Sequence, residues 1–298
     1  MNLARIALIC QLHINQGSQS WKGLQKLRLC LLVLAGGLLA GCAQPYRSPE
    51  AVSRTYDEAR VSIPKVVIDG KVVTPGHFGF MVDVGTQTQL AALASAGVRL
   101  PVVLYMHGCT GFERTALYDS EYISSLGAIV VAPDSYARIG RPSACDPTTR
   151  KHGGPVMWQM RFEEIGFARD RLEREAWVDT TRVVLFGFSE GGFAVAGTRD
   201  DRFIGYIATG ANCNAPGYGL VGLRIPKGKP VLLIRSADDP WQYGLDVCDR
   251  DMLGRPKSIS VLVPKHGHYF NSEDFAKDAI RTFLLGVIGP PSPYIAGN

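Results

Sequence analysis

Five short runs with almost no polar residue in them narrow the folds open to this 298-residue chain. They are residues 101–106, 128–134, 183–186, 231–234 and 259–263, and a sixth apolar stretch covers 203–209. A strand with one face in water alternates apolar and polar residues. These runs do not alternate, so both faces must be covered. Between them lie segments with helical spacing, at 118–126, at 157–176 and after Gly192, and a last one at 272–285 opens on Ser272 as its expected cap. Strands that alternate with helices imply an α/β fold, a doubly wound, mostly parallel sheet with helices on both faces. Ligands bind such sheets outside the carboxyl ends of the strands. Upstream, residues 66–68 and 72–73 flank Asp69-Gly70, a hairpin signal, because that dipeptide accepts the positive φ of a tight turn. Residues 78–84 continue as another strand, and these antiparallel strands belong at the sheet edge.

One apolar run leads into a second signal. Val183-Val184-Leu185-Phe186 is followed by Gly187-Phe188-Ser189-Glu190-Gly191 and then by small residues suited to a helix start. Strand, Gly-x-Ser-x-Gly turn and helix together form an elbow that projects a serine hydroxyl above the sheet. The glycines suit positions where a side chain would collide with backbone. A serine hydroxyl is a poor nucleophile at neutral pH and needs a base, which an acid then orients. Residues in the order Ser, Asp, His stand directly after successive strands. Ser236-Ala237-Asp238-Asp239 follows 231–234, and His266-Gly267-His268-Tyr269-Phe270 follows 259–263.

On these residues the chain resembles the α/β-hydrolase superfamily, and within it the dienelactone-hydrolase-like group, over residues 61–285. The resemblance implies a serine hydrolase cleaving carboxylic esters through an acyl-enzyme on Ser189. His268 matches the family's His-x-Phe pattern better than His266 does, and Asp238 aligns best with the acid, with Asp239 as its rival. His107-Gly108 after a central strand is similar to the oxyanion-loop signature, which makes the backbone N–H groups of Cys109 and Glu190 the oxyanion donors. Serine stands where true dienelactone hydrolases carry cysteine, which favours general esters over dienelactones. A serine peptidase or polyester depolymerase on the same fold, and a non-catalytic envelope lipoprotein, are the alternatives. His107 reads as a structural residue, and Trp158 and Trp241 as packing or an acyl pocket.

The amino terminus points to export. Lys22, Lys26 and Arg28 precede an apolar stretch at 29–39, too short for the roughly 20 residues that span a bilayer. Leu39-Ala40-Gly41-Cys42 resembles the lipobox of bacterial lipoproteins, which implies cleavage before Cys42 and lipidation of its sulfur. An ordinary signal peptide is the alternative. The expected organisation is a leader over 1–41, its own pattern starting near 21–24, a tether without fixed fold over 42–60, and a hydrolase domain over 61–298. Ala43 after the cysteine favours the outer membrane, facing the periplasm. Four cysteines remain, and an oxidising compartment favours two disulfides over four free thiols. The four, Cys109, Cys145, Cys213 and Cys248, allow three pairings; Cys109 with Cys145 is favoured because both would follow adjacent central strands, which leaves Cys213 and Cys248 to pair across the next two loops.

Composition excludes little else. With 46% hydrophobic and 20% charged residues the chain is globular, and its net charge of +5 is scattered, with no basic run suited to nucleic acid. No Cys-x-x-Cys or His-rich spacing suggests zinc, and no cofactor is implied. The expected partners are a small-molecule ester and, through Cys42, a membrane.

Overall fold

The computed structural model describes residues 45–142, 145–146, 151–152, 154–211, 213–215, 220–241 and 246–290. It divides into two units, Met1–Ser48 and Pro49–Asn298. The leader and Cys42 lie outside the described residues, and of the first unit only Pro45–Ser48 is described. The fold that follows belongs to the second.

The elements run α1 (Pro49–Asp57), β1 (Arg60–Ile68), β2 (Lys71–Phe80), α2 (Val84–Ser95), β3 (Leu100–Met106), α3 (Arg114–Ser125), β4 (Ile129–Ala132), α4 (Gly154–Leu172), β5 (Val178–Phe188), α5 (Glu190–Gly197), β6 (Gly205–Thr209), β7 (Val231–Ser236), α6 (Asp246–Met252), β8 (Ile259–Val263) and α7 (Asp274–Ile288). The strands form one eight-stranded sheet in the order β2-β1-β4-β3-β5-β6-β7-β8. Pairings from β4 through β8 are parallel, and β1 is antiparallel to both β2 and β4. This is the doubly wound sheet anticipated from the apolar runs.

Side chains of a strand point alternately to the two faces, and β3 shows what each face meets. Val102, Leu104 and Met106 join a core built with Leu90 and Leu93 of α2, Ile165 and Leu172 of α4, and Phe193 of α5. Val103 and Tyr105 join a second core with Ile123 of α3 and Ile280, Phe283 and Leu284 of α7. All seven β3 residues are buried, which is why the run carries no polar position.

Two expectations change. Residues 49–57, read as part of a tether, form α1, where Ala51, Thr55 and Tyr56 make a buried stripe and the Tyr56 ring meets Phe167 of α4 at 6.4 Å. Pro49 does not oppose this, because the first helical position has no N–H bond to lose. Residues 78–84 are not a separate strand. β2 runs on to Phe80, the Asp83 carboxylate accepts the Phe80 N–H at 2.8 Å, and α2 starts at Val84.

The β5–α5 junction is the tightest point of the fold. Ser189 has φ 54° and ψ −117°, a conformation rarely adopted by residues other than glycine. A Cβ on Gly187 would lie 2.2 Å from the Gly191 carbonyl oxygen, and one on Gly191 would lie 1.9 Å from the Met106 carbonyl oxygen. Both obstructions are backbone, so neither can swing aside. Gly191→Ala should therefore destabilise at or above the upper end of the roughly 1–3 kcal/mol typical of overpacking. Thermal unfolding of that variant, against an alanine at the unobstructed Gly166, checks this.

Candidate active site

Three loops at the carboxyl ends of β5, β7 and β8 bring Ser189, Asp239 and His268 together. His268 Nε2 lies 2.9 Å from Ser189 Oγ, and its Nδ1 lies 2.7 Å from Asp239 Oδ2. All three are buried. With Asp239 accepting from Nδ1–H, Nε2 is left unprotonated toward the serine, the tautomer a general base requires. The elbow is anchored on both sides, since Ser189 N–H donates to the Thr209 carbonyl at 2.9 Å and the Ser189 carbonyl accepts from Phe193 N–H at 2.9 Å. The Phe188 ring packs on His268 with centroids 5.1 Å apart.

The acid facing His268 is Asp239 and not Asp238, a correction to the alignment. The chain leaves β7 in a turn closed by Asp239 N–H to the Ser236 carbonyl at 3.2 Å, and this turns the second aspartate inward. Asp238 stays exposed and accepts from Ser236 Oγ at 2.5 Å and from the N–H groups of His266 and Gly267 at 3.0 and 2.9 Å. Those bonds, the Ser236 hydroxyl first, lower its pKa to about 2. Asp238 thus braces the loop that carries His268. His266 is exposed against Phe275. Trp241 stands 6.2 Å from His268, and Trp158 packs on Phe193 at 5.2 Å.

The His107–Gly108 turn lies against the elbow. A Cβ on Gly108 would sit 3.4 Å from Ser189 Cβ, so the backbone leading to Cys109 passes directly beside the serine. Glu190 opens α5, and N–H groups in the first turn of a helix have no intrahelical acceptor. Both expected oxyanion donors therefore flank Ser189 in the chain's path. His107 is a structural residue. It is fully buried, Nε2 accepts from Ser135 N–H at 3.0 Å, and Nδ1 meets the Gly108 carbonyl at 2.7 Å. Burial, with Arg161 nearby, holds its pKa well below the usual range, which keeps it neutral.

Disulfides join Cys109 to Cys145 and Cys213 to Cys248, with Cα separations of 5.7 and 5.4 Å. The first ties the loop after β3 to the segment after β4. Two buried polar groupings had no sequence signal. Arg138, Arg141, Arg161, Glu164 and Glu190 form a charge cluster that reaches the His107 carbonyl through Arg161. An arginine-rich loop and a charged helix read as solvated until their neighbours are known, so the three arginines and Glu164 were missed, and of Glu190 only the N–H was considered.

Sheet order, elbow and strand-end loops together define an α/β-hydrolase fold. The chain is similar to a structure of a candidate dienelactone hydrolase from Klebsiella pneumoniae subsp. pneumoniae, with 18% identity and a TM-score of 0.53, covering 64% of this chain and 87% of the other. An acetyl xylan esterase from Paenibacillus sp. R4 gives 17% identity and a TM-score of 0.46, over 63% and 75% of the two chains. Likeness at this identity shows the fold alone. No protein-family model matches the chain, and no curated protein matches it in sequence.

The second grouping surrounds Asp119. Its carboxyl accepts from Tyr105 Oη and Asn271 Nδ2, both at 2.7 Å, and Asn271 Nδ2 also reaches Thr209 Oγ1 at 2.9 Å. The loop bearing His268 is thereby tied to the residue whose carbonyl holds Ser189. Burial raises the Asp119 pKa to about 7, against its hydrogen bonds from Tyr105 and Asn271. The folded state then holds this proton more tightly than the unfolded chain, whose Asp titrates near about 3.9. Its stabilising contribution is complete below that value and is lost as pH rises through about 7. The melting temperature should fall between about pH 4 and pH 7 in the wild type, and by less in Asp119→Asn. Equal falls in the two proteins would count against this assignment.

Proposed function

We propose that the chain is a serine hydrolase of carboxylic esters. The observation that carries this reading is the continuous hydrogen-bonded path from Ser189 Oγ through His268 to Asp239, at 2.9 and 2.7 Å. In the proposed reaction His268 Nε2 takes the hydroxyl proton as Ser189 Oγ attacks the ester carbonyl. Asp239 stabilises the imidazolium. The negative charge that develops on the carbonyl oxygen is met by the N–H groups of Cys109 and Glu190, where each such donor is worth about 10² to 10³ in rate. Collapse expels the alcohol, which receives the proton from His268. Water then repeats the sequence on the acyl-enzyme and regenerates the serine.

A cleft of about 770 Å³ opens beside Tyr269, between Glu113 of the oxyanion loop and Ser272 of the loop that carries His268. The pairing of all four described cysteines fits an oxidising compartment. Together with the lipobox-like segment, it supports a lipid-anchored envelope protein with Cys42 as the modified residue.

Ser189→Ala should abolish turnover of a p-nitrophenyl acyl ester without loss of the fold. Labelling of the wild type by a fluorophosphonate, lost in that variant, distinguishes a catalyst from a non-catalytic lipoprotein. The two aspartates separate cleanly. Asp239→Asn should cost about 10⁴ in kcat, because an amide favours the wrong imidazole tautomer, while Asp238→Asn should leave most of the rate. A larger loss from Asp238→Asn would reverse their assignment.

A further inference from the structure

The residues flanking Ser189 are linked to each other by Tyr136, Arg141 and Cys145, which follow β4. Their contacts converge. Tyr136 Oη donates to the Cys109 carbonyl oxygen. Cys145 is joined to Cys109 through sulfur. The Arg141 guanidinium lies over the Tyr136 ring at 4.2 Å and donates from Nη2 to Glu190 Oε1 at 2.7 Å. Cys109 and Glu190 are the two residues whose N–H groups are the proposed oxyanion donors. From below, Arg161 repeats the connection. Its Nη2 donates to the His107 carbonyl at 2.6 Å, its Nε lies 3.5 Å from Glu190 Oε1, and its Nη1 pairs with Glu164 at 2.9 Å.

We infer that Arg141 and Arg161, through the buried carboxylate of Glu190, are positioning residues that set the spacing of the two oxyanion donors. This deepens the esterase reading and rests on it. Stability is a weak reason for such a cluster. Buried ion pairs commonly contribute no more than a well-packed apolar replacement, because desolvation offsets their attraction. The side chains of Arg141, Arg161 and Glu190 are all buried, with exposures of 1%, 0% and 7%. What the pairs supply is direction. Glu190 begins α5 immediately after the strained serine, so fixing its carboxylate fixes the rotation of the peptide between them. The same guanidinium, stacked on Tyr136, ties that peptide to the Cys109 side. A donor misplaced by about 1 Å can cost about 10²-fold in rate.

The test uses the purified full chain and counts active sites by the burst of p-nitrophenol. Arg141→Met keeps volume and removes the charge. It should lower kcat per titrated site by about 10²-fold, with KM nearly unchanged. The inhibition constant of a trifluoromethyl ketone, whose adduct puts an oxyanion in the same position, should rise by the same factor. Arg141→Lys should recover part of both. If kcat per site and ketone binding stay at wild-type values while the melting temperature falls, the cluster is structural and the inference is overturned. Should Arg141→Met fail to fold, the isosteric Glu190→Gln carries the same test, with a smaller loss of the same kind expected and an unchanged kcat overturning it. An inactive, unlabelled wild type would remove the esterase reading and this inference with it. An active wild type with an unaffected variant removes the inference alone.

Discussion

The backbone turn at Ser189 is the constraint on which the site depends. A serine held at positive φ costs of order 1–3 kcal/mol and persists only where its surroundings leave no alternative. Here they leave none. Gly191 presses against the end of β3, Gly187 presses against Gly191, and the backbone N–H and C=O of Ser189 are both taken by hydrogen bonds to Thr209 and Phe193. The central strands β3, β5 and β6 thus act as one jig. Because β3 also delivers the His107–Gly108 turn, the packing that strains the serine is the packing that brings Cys109 beside it.

Loops that extend beyond such a jig have no sheet hydrogen bonds to hold them, and the structure holds them with buried polar groups instead. Asp119 and Asn271 fasten the His268 loop to Thr209. Asp238 braces that loop from the solvent side. Glu164, with Arg138 and Arg161, supports the turn at His107. Apolar contacts are non-directional and would hold the loops without orienting them. Hydrogen bonds and ion pairs fix direction, which a reaction sensitive to donor geometry requires.

Much of this was legible in the chain. The uninterrupted apolar runs implied a sheet covered on both faces, and β3 and β7 are buried at every position and β5 from Val183 onward, whereas the run at 259–263 forms the edge strand β8, whose residues alternate between half-buried and exposed. The Asp69-Gly70 turn appears where the dipeptide suggested, with φ of 50° and 74°. The elbow followed from glycine spacing on an apolar strand, since close backbone approach is a local requirement. Helix α1 was missed because its stripe of Ala51, Thr55 and Tyr56 is short and preceded by proline. Whether such a stripe is buried depends on α4, distant in the chain.

Two adjacent aspartates mark the boundary between the two kinds of information. The sequence by itself determined that an acid would leave β7 near residue 238, that a histidine would leave β8, and that a serine would occupy the elbow, because each is a matter of strand ends and local turns. Only the tertiary structure decided that Asp239 faces His268 while Asp238 faces the loop backbone, since the turn closed by Asp239 N–H on the Ser236 carbonyl aims the two side chains apart. It also decided that Arg141, Arg161 and Glu190 meet. Charged residues on separate elements have no shared period in the sequence, and the desolvation that makes their geometry matter exists only once the sheet, α4 and α5 enclose them.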